Sequence, residues 1–515
     1  MEEKKKGSVR TVGLMMIITL LGKVLGLVRD RLLTVNYGSG MEANAFLTAS
    51  RIPRVFFDAV FASAISASLI PVFSELLTKR GKKAACDFAG SFLTLMTALC
   101  ALLTVLGMVF AGPLARLFAP GFDPQTGRLT EELTRIMMPT VIFTGVAFSF
   151  VGILQSLEEF NIPAAISLIS NGAVIVYYLF FNRTFGIYGL AAAFLISWAL
   201  QALVQIPSLI KKGATLRPSL RFEDEGLRKV LRLMLPVMVA SWVLPVNQAV
   251  NGIFASGLFE GAGVSAVDHA YSLFTVIAGV FVLSVTNYIF PRLSRLAAGE
   301  GGDMSATLRG TLHTVMLVVV PMTVGLMAVS RPLVDFIFGG GKFDGFAVDI
   351  TARALSFMAL GTVGYALTNV LCRFYFARQE GLVPLLAGAA AVVCNAVFCA
   401  VLTPLMDVGG IALACALSLS VNGVLLAIPL GRRGVKLITA DFALDMGKIL
   451  LSALIMEPAV FFTRQILEGR GKLLALIVPC AAGVLVYGIM IFVLRLPEAL
   501  SAKDFILSRI GRKEK

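Results

Sequence analysis

Residues 11–35 read TVGLMMIITLLGKVLGLVRDRLLTV. A helix needs about 20 mostly apolar residues to cross a hydrocarbon core of roughly 30 Å, and this run supplies them. It follows the basic residues Lys4, Lys5, Lys6 and Arg10, as the core of a signal peptide does. It continues to Arg29-Asp30-Arg31 without a small-residue cleavage site, so it reads as a retained first span. Thirteen further runs of the same kind follow, at 43–77, 86–111, 131–157, 163–182, 187–210, 230–258, 265–291, 310–330, 347–376, 382–403, 408–431, 446–463 and 473–494. They are continuous rather than alternating, which excludes a membrane β-barrel. The expected fold is an all-α polytopic membrane protein of fourteen transmembrane helices.

Composition agrees. The chain of 515 residues is 57% hydrophobic and 15% charged, where a soluble domain is nearer half apolar and a quarter charged. That excludes a soluble globular enzyme, a disordered chain and a disulfide scaffold. The seven cysteines lie in or beside apolar runs, with no CxxC, and the two histidines, His269 and His313, form no cluster with them. No metal site and no cofactor are expected. No P-loop is present, which argues against ATP hydrolysis on this chain, and an enzyme is not expected.

The net charge is +14. With a cytoplasmic N-terminus, cytoplasmic connections carry 27 Lys and Arg and outer ones 8, which places both termini inside. The other 10 basic residues fall within spans.

The chain also repeats. Gly38-Ser39-Gly40-Met41 recurs as Gly261-Ala262-Gly263-Val264, an offset of 223. Pro71 to Leu76 matches Pro291 to Leu296 at 220, Pro113-Leu114 matches Pro332-Leu333 at 219, and Pro163 matches Pro384 at 221. Gly189-Leu190-Ala191 with Ser197 matches Gly410-Ile411-Ala412 with Ser418, also at 221. Each repeat holds six spans, an even number, so both copies run in the same orientation. The expected organisation is an N-lobe over 1–215, a parallel C-lobe over 216–435, and two C-terminal spans with a basic tail over 436–515. Paired bundles of this kind suit alternating access.

Charges inside a span are costly, about 2.5–3.5 kcal/mol for a central Arg or Lys, and usually face a cavity. Span 1 carries Lys23, Arg29, Asp30 and Arg31; Lys23 and Asp30 share one stripe. Span 2 carries Arg51, Arg54 and Asp58 on one face, with Pro53 expected to break or kink the helix. Five basic residues against two acidic ones suit an anionic substrate, and arginine grips phosphate bidentately. Snorkelling to an interface, or neutralising the two aspartates, is the competing reading for Arg29, Arg31 and Arg54. In the second lobe Asn247 and Asn251 are as suited to gluing helices as to binding a ligand. His269, beside Asp268 at a span end, reads as an interfacial histidine.

Gly22-Lys23-Val24-Leu25-Gly26-Leu27-Val28-Arg29-Asp30, Tyr37-Gly38-Ser39-Gly40, Ile52-Pro53 and Ala119-Pro120-Gly121-Phe122 resemble the MurJ (MviN) lipid II flippase family, within the multidrug/oligosaccharidyl-lipid/polysaccharide exporter superfamily. The resemblance covers nearly the whole chain. It implies transport of lipid-linked peptidoglycan precursor from the inner to the outer leaflet of a bacterial cytoplasmic membrane. It further implies a cationic cavity between the lobes for the diphosphate, and a groove toward the last two helices for the polyprenyl tail. Lys23, Arg29, Asp30, Arg51, Arg54 and Asn44 become the expected substrate-binding residues, with lipid II and membrane lipids as partners and no nucleic acid.

The departures are specific. Asn44 stands where an Asp is common. Phe57 and Asp58 stand where a basic pair is common, and Ser272 where an Arg is. The sodium set described for some members reads Asn251, Asn395, Cys399 and Cys415 here. Only Asn395 is retained, and without carboxylates the set lacks the hard oxygens a small cation prefers. Coupling to membrane potential or protons stays open, as do three alternatives: a flippase for another polyprenyl-linked glycan, a drug exporter of the same superfamily, and a non-transporting membrane scaffold.

Overall fold

The computed structural model describes residues 2–60, 62–219, 226–232, 234, 243–297, 299, 301–467 and 469–496. Side chains are described for these apart from 2–16, 58–60, 62–67, 243, 244, 287 and 291. The side chain of Asp58, much of the seventh expected span and most of the basic tail therefore lie outside the described residues.

Helices follow one another from α1 (Glu2–Tyr37), α2 (Met41–Val60) and α3 (Ala62–Val109) through α4 (Ala111–Phe118), α5 (Pro124–Met137), α6 (Thr140–Ser156), α7 (Asn161–Phe180), α8 (Asn182–Leu203) and α9 (Ile206–Lys211). Then come α10 (Val243–Ala255), α11 (Ala262–Ala297), α12 (Met304–Ile337), α13 (Gly345–Ala359), α14 (Gly361–Ala377), α15 (Leu382–Met406), α16 (Val408–Ala427), α17 (Ala440–Ile466) and α18 (Lys472–Val493). Lipid provides no hydrogen-bond partners, so spans close their backbone bonds within the helix.

Among the described residues nine helical stretches are long and apolar enough to cross a bilayer, and eleven if each of two bent pairs is one span. The structure thus reaches eleven of the fourteen expected spans by length and apolarity. The second is not counted because α2 carries Glu42, Arg51, Arg54 and Asp58 within 20 residues. Residues 43–60 and 62–77 of the expected second span are helical, in α2 and α3. Pro53 stays inside α2 rather than ending it. The turn between spans 2 and 3 falls inside α3, at Gly81, whose φ of 81° and ψ of 174° interrupt the helix.

Backbone landmarks repeat along the chain. Residues with left-handed φ pair as Glu158 (58°) with Gln379 (61°), Gly186 (54°) with Asp407 (53°), and Gly213 (61°) with Gly434 (74°), each 221 residues apart. Asp123 caps α5 by accepting from the amides of Gln125 and Thr126, and Asp344 caps α13 by accepting from Ala347, again 221 apart. The Thr126 hydroxyl and amide hold the Asp123 carboxyl below the usual carboxylate range. The pair α5–α6 bends by 41° and the pair α13–α14 by 46°.

Two compact units are present, one of residues 1–265 with 340–343, the other of 266–339 with 344–515. The first holds two cores, one around Phe73, Phe88 and Phe92, the other around Leu33, Phe46 and Leu133. The second packs Val315, Val370 and Phe374 together, and α17 and α18 lie against α12 through Met456, Val460 and Tyr487. The helix α10, which the repeat assigns to the second lobe, packs with α2 in the first unit.

Helices α14 and α16 touch almost backbone to backbone. A Cβ on Gly364 would stand 2.5 Å from the Ser420 amide nitrogen. Gly364→Ala should therefore destabilise the protein by about 1–3 kcal/mol through overpacking. Gly310→Ala, with nothing within 4 Å of the new carbon, should leave stability unchanged or slightly raised. Thermal unfolding of the purified protein in detergent distinguishes the two.

Candidate functional site

The charged end of α1 is held against α7. A Cβ on Gly22 would lie 2.4 Å from the Ser167 hydroxyl oxygen, so the helices approach where α1 has no side chain. The approach brings in Asn171. Its Nδ2 donates to the Gly22 carbonyl at 3.1 Å, and its Oδ1 accepts from Arg29 Nη1 at 3.1 Å. Arg29 also donates from Nε (3.1 Å) and Nη2 (2.8 Å) to Asp30 Oδ1. Three of the five guanidinium N–H groups are engaged and two remain. The Arg29 side chain is 35% exposed and that of Asp30 17%. Arg29 is thus an oriented, partly neutralised cation. Lys23 is exposed, with no hydrogen bond or ion pair among the described residues.

The helix α2 carries the other group. Arg51 is half-buried, with its guanidinium against α10: a Cβ on Gly252 would fall 1.8 Å from Nη1. Glycine at 252 leaves the room that Arg51 occupies. Arg54 is exposed.

Asn44 takes a different place from the one expected of a substrate ligand. It is fully buried; Nδ2 donates to the Ser39 carbonyl (2.7 Å) and Oδ1 accepts from the Ser265 amide (3.2 Å). Ser265 lies in the first turn of α11, where amides have no intrahelical partner. Asn44 ties the Gly-rich turn before α2 to that helix start.

Phe57 is buried and packs 5.3 Å from the Phe148 ring, so this position serves the core. His269 is 2% exposed, with its ring 4.7 Å from that of Phe338. Asn251, in the first unit, and Asn395, in the second, are both buried, and Cys399 Sγ lies 3.8 Å from Asn395 Oδ1. Among the described residues no group of three His, Cys, Asp or Glu side chains is placed to hold a metal. Sequence reasoning missed Asn171, Ser265 and Gly252. Only Asn171 carries a signal, a polar amide inside the apolar run 163–182.

The model of the family "Lipid II flippase MurJ" matches residues 35–481. The chain is 28% identical over 426 residues to the lipid II flippase MurJ of Burkholderia cenocepacia, covering 81% of this chain and 82% of that one. It is 29% identical over 468 residues to the probable lipid II flippase MurJ of Haemophilus influenzae, covering 86% and 90%. Among solved structures it resembles a lipid II flippase MurJ in an inward closed conformation, with a TM-score of 0.81 at 24% identity over 96% of this chain and 99% of that one. It also resembles an inward-facing multidrug resistance MATE family transporter of the MOP superfamily, with a TM-score of 0.66 at 16% identity over 82% and 97%. At these identities the structural likenesses establish the fold.

Asn44→Ala removes both bonds and leaves the Ser39 carbonyl and Ser265 amide buried without them. A loss of about 1–2 kcal/mol is expected, the usual range for a helix cap. Asn44→Asp keeps the acceptor for Ser265 and should lose less. Unfolding midpoints of the two variants in detergent check the order.

Proposed function

This chain belongs to the lipid II flippase MurJ family, and we propose that it moves the lipid-linked peptidoglycan precursor from the inner to the outer leaflet of a bacterial cytoplasmic membrane. The observation that carries this reading is the state of Arg29. Its guanidinium is fixed in a membrane helix by Asp30 and Asn171, yet keeps two N–H groups and one third of its side-chain surface open. That suits a phosphate oxygen, which accepts from two N–H groups at once. Lys23, exposed on the same helix, adds a point charge. Arg51, held by α10, and Arg54 extend the basic field along α2, while Asn44 shapes the end of the helix rather than touching substrate.

Transport requires exposure to one side and then the other. Two copies of one bundle in a single chain supply that capability without a second protein copy, so the chain is expected to act as a monomer, with lobes at 1–215 and 216–435. The 27-to-8 asymmetry supports cytoplasmic termini. It puts the turns at 38–40, 119–122, 257–261 and 340–343 on the outer side.

The test is replacement in cells depleted of their own lipid II flippase, with external lipid II labelled. Parent protein should restore labelling. Arg29→Ala should reduce it at least about tenfold at equal membrane level, because charge-assisted hydrogen bonds of about 1.5–3 kcal/mol are lost. Arg29→Lys keeps the charge but not the fork held by Asp30 and Asn171, and should fall between. Full export by Arg29→Ala overturns the assignment of the phosphate site.

A further inference from the structure

Two turns of this chain sit on helix ends far away in sequence. Gly340 and Phe343 exchange backbone hydrogen bonds (3.2 and 3.1 Å), closing a tight turn with Gly341 at φ 58°. The Lys342 amide in that turn donates to the Val35 carbonyl at 3.0 Å. Val35 lies in the last turn of α1, where carbonyls have no intrahelical partner. A Cβ on Gly341 would stand 2.4 Å from the Val35 oxygen, and one on Gly38 2.5 Å from the Lys342 oxygen. Lys342 Nζ lies 5.9 Å from the centre of the Tyr37 ring. The segment is so placed that Gly340–Phe343 belongs to the first compact unit, though the chain on either side belongs to the second.

The matching turn of the first repeat does the same at the matching helix. The Gly121 amide donates to Ser256 Oγ at 3.0 Å, just beyond the end of α10. A Cβ on Gly121 would lie 2.4 Å from the Gly257 backbone, and the Phe122 ring lies 3.0 Å from where a Gly261 Cβ would be. Each turn follows the third span of one repeat and seats on the end of the first span of the other. The exchange is reciprocal.

We propose that these turns are paired outer latches: the ends of spans 1 and 7 come free for outward release only when Gly340–Phe343 and Ala119–Phe122 unseat. Each seat joins a short turn to a helix end by one described hydrogen bond and close backbone packing, and in the second the Lys342 ammonium over the Tyr37 ring and the buried Phe343 ring add to it. The second latch has an anchor outside the repeats. Lys472, the first residue of α18, donates to Asp335 Oδ1 (2.8 Å), the Asp335 carbonyl (3.3 Å) and the Gly339 carbonyl (3.4 Å), at the base of the turn. The C-terminal helix pair therefore bears on when the latch lets go. The role as an outer gate rests on the transport reading above; the seating of the turns does not.

The test joins Val35→Cys to Lys342→Cys, residues already linked through their backbones, in full-length protein in bilayers. Accessibility is read separately by Thr48→Cys, a buried position one turn beyond Asn44, using a thiol reagent that cannot cross the membrane and counting label above the parent's background. With the cross-link formed, as verified by peptide mapping, Thr48→Cys labelling from outside should stop and lipid II flipping should drop at least tenfold. Reductant should restore both. Lys472→Ala alone should speed Thr48→Cys labelling about threefold, the change expected when a half-exposed charged contact is lost. Unchanged labelling with the turn covalently closed overturns the latch, whatever the flipping result. Labelling that obeys the cross-link in a parent that moves no lipid II keeps the latch and sinks the substrate reading.

Discussion

Hydrocarbon supplies no hydrogen-bond partners, so backbone groups at membrane depth must be satisfied by the protein itself. The buried hydroxyls show the simplest solution. Thr130, Thr134, Thr144 and Ser149 each donate to the carbonyl four residues earlier in their own helix. Where a helix ends, another segment completes it: Asn44 takes the Ser265 amide, and the Lys342 amide takes the Val35 carbonyl. In α1 the charge of Arg29 is answered by Asp30 and Asn171. The helices, the seated turns and the setting of Arg29 each meet this requirement.

The same requirement decides what the sequence could disclose. Long continuous apolar runs have one stable outcome in a bilayer, so the helices were legible, and the cost of an intramembrane charge singled out Lys23, Arg29 and Arg51. Which helix answers each charge was not legible. Asn171 is 142 residues from Arg29, and a helix that is apolar nearly all round gives little sign of which face meets protein. Asn44 shows the limit well. The family resemblance made it an expected ligand, but an amide can equally use its donor and acceptor on backbone, and here it uses both. Phe57 and His269 show the same limit: a buried aromatic ring is defined by its packing partners, which sequence does not name.

The duplication is clearer in the backbone than in the side chains. Glu158 corresponds to Gln379 in the repeat, and Gly186 to Asp407, with almost equal φ although the residues differ. A non-glycine residue held at positive φ is strained, so its recurrence 221 residues later means that the chain reversal itself is required there. Side chains at such places are free to diverge as long as the turn survives. That is why the sequence showed scattered matches at offsets of 219–223 while the structure shows the same reversals, caps and bends in the same order.

A carrier faces a demand that a receptor does not, for it must let its ligand go. An isolated guanidinium in a low-dielectric span is expensive when empty, and it grips a diphosphate strongly when full, because attraction between charges grows as the dielectric falls. Pairing Arg29 with Asp30 moderates both states. The Arg29–Asp30 pair by itself is close to neutral and tolerable in the membrane, and in the proposed site a phosphate would meet a cation already partly compensated. Asn171 adds no charge; it fixes the direction in which the remaining two N–H groups point. Specificity can then come from orientation, with affinity held low enough for release. On this view the acidic residue beside the key arginine does not weaken the case for an anionic substrate. In the proposed site it would let a strongly basic helix serve a transport cycle.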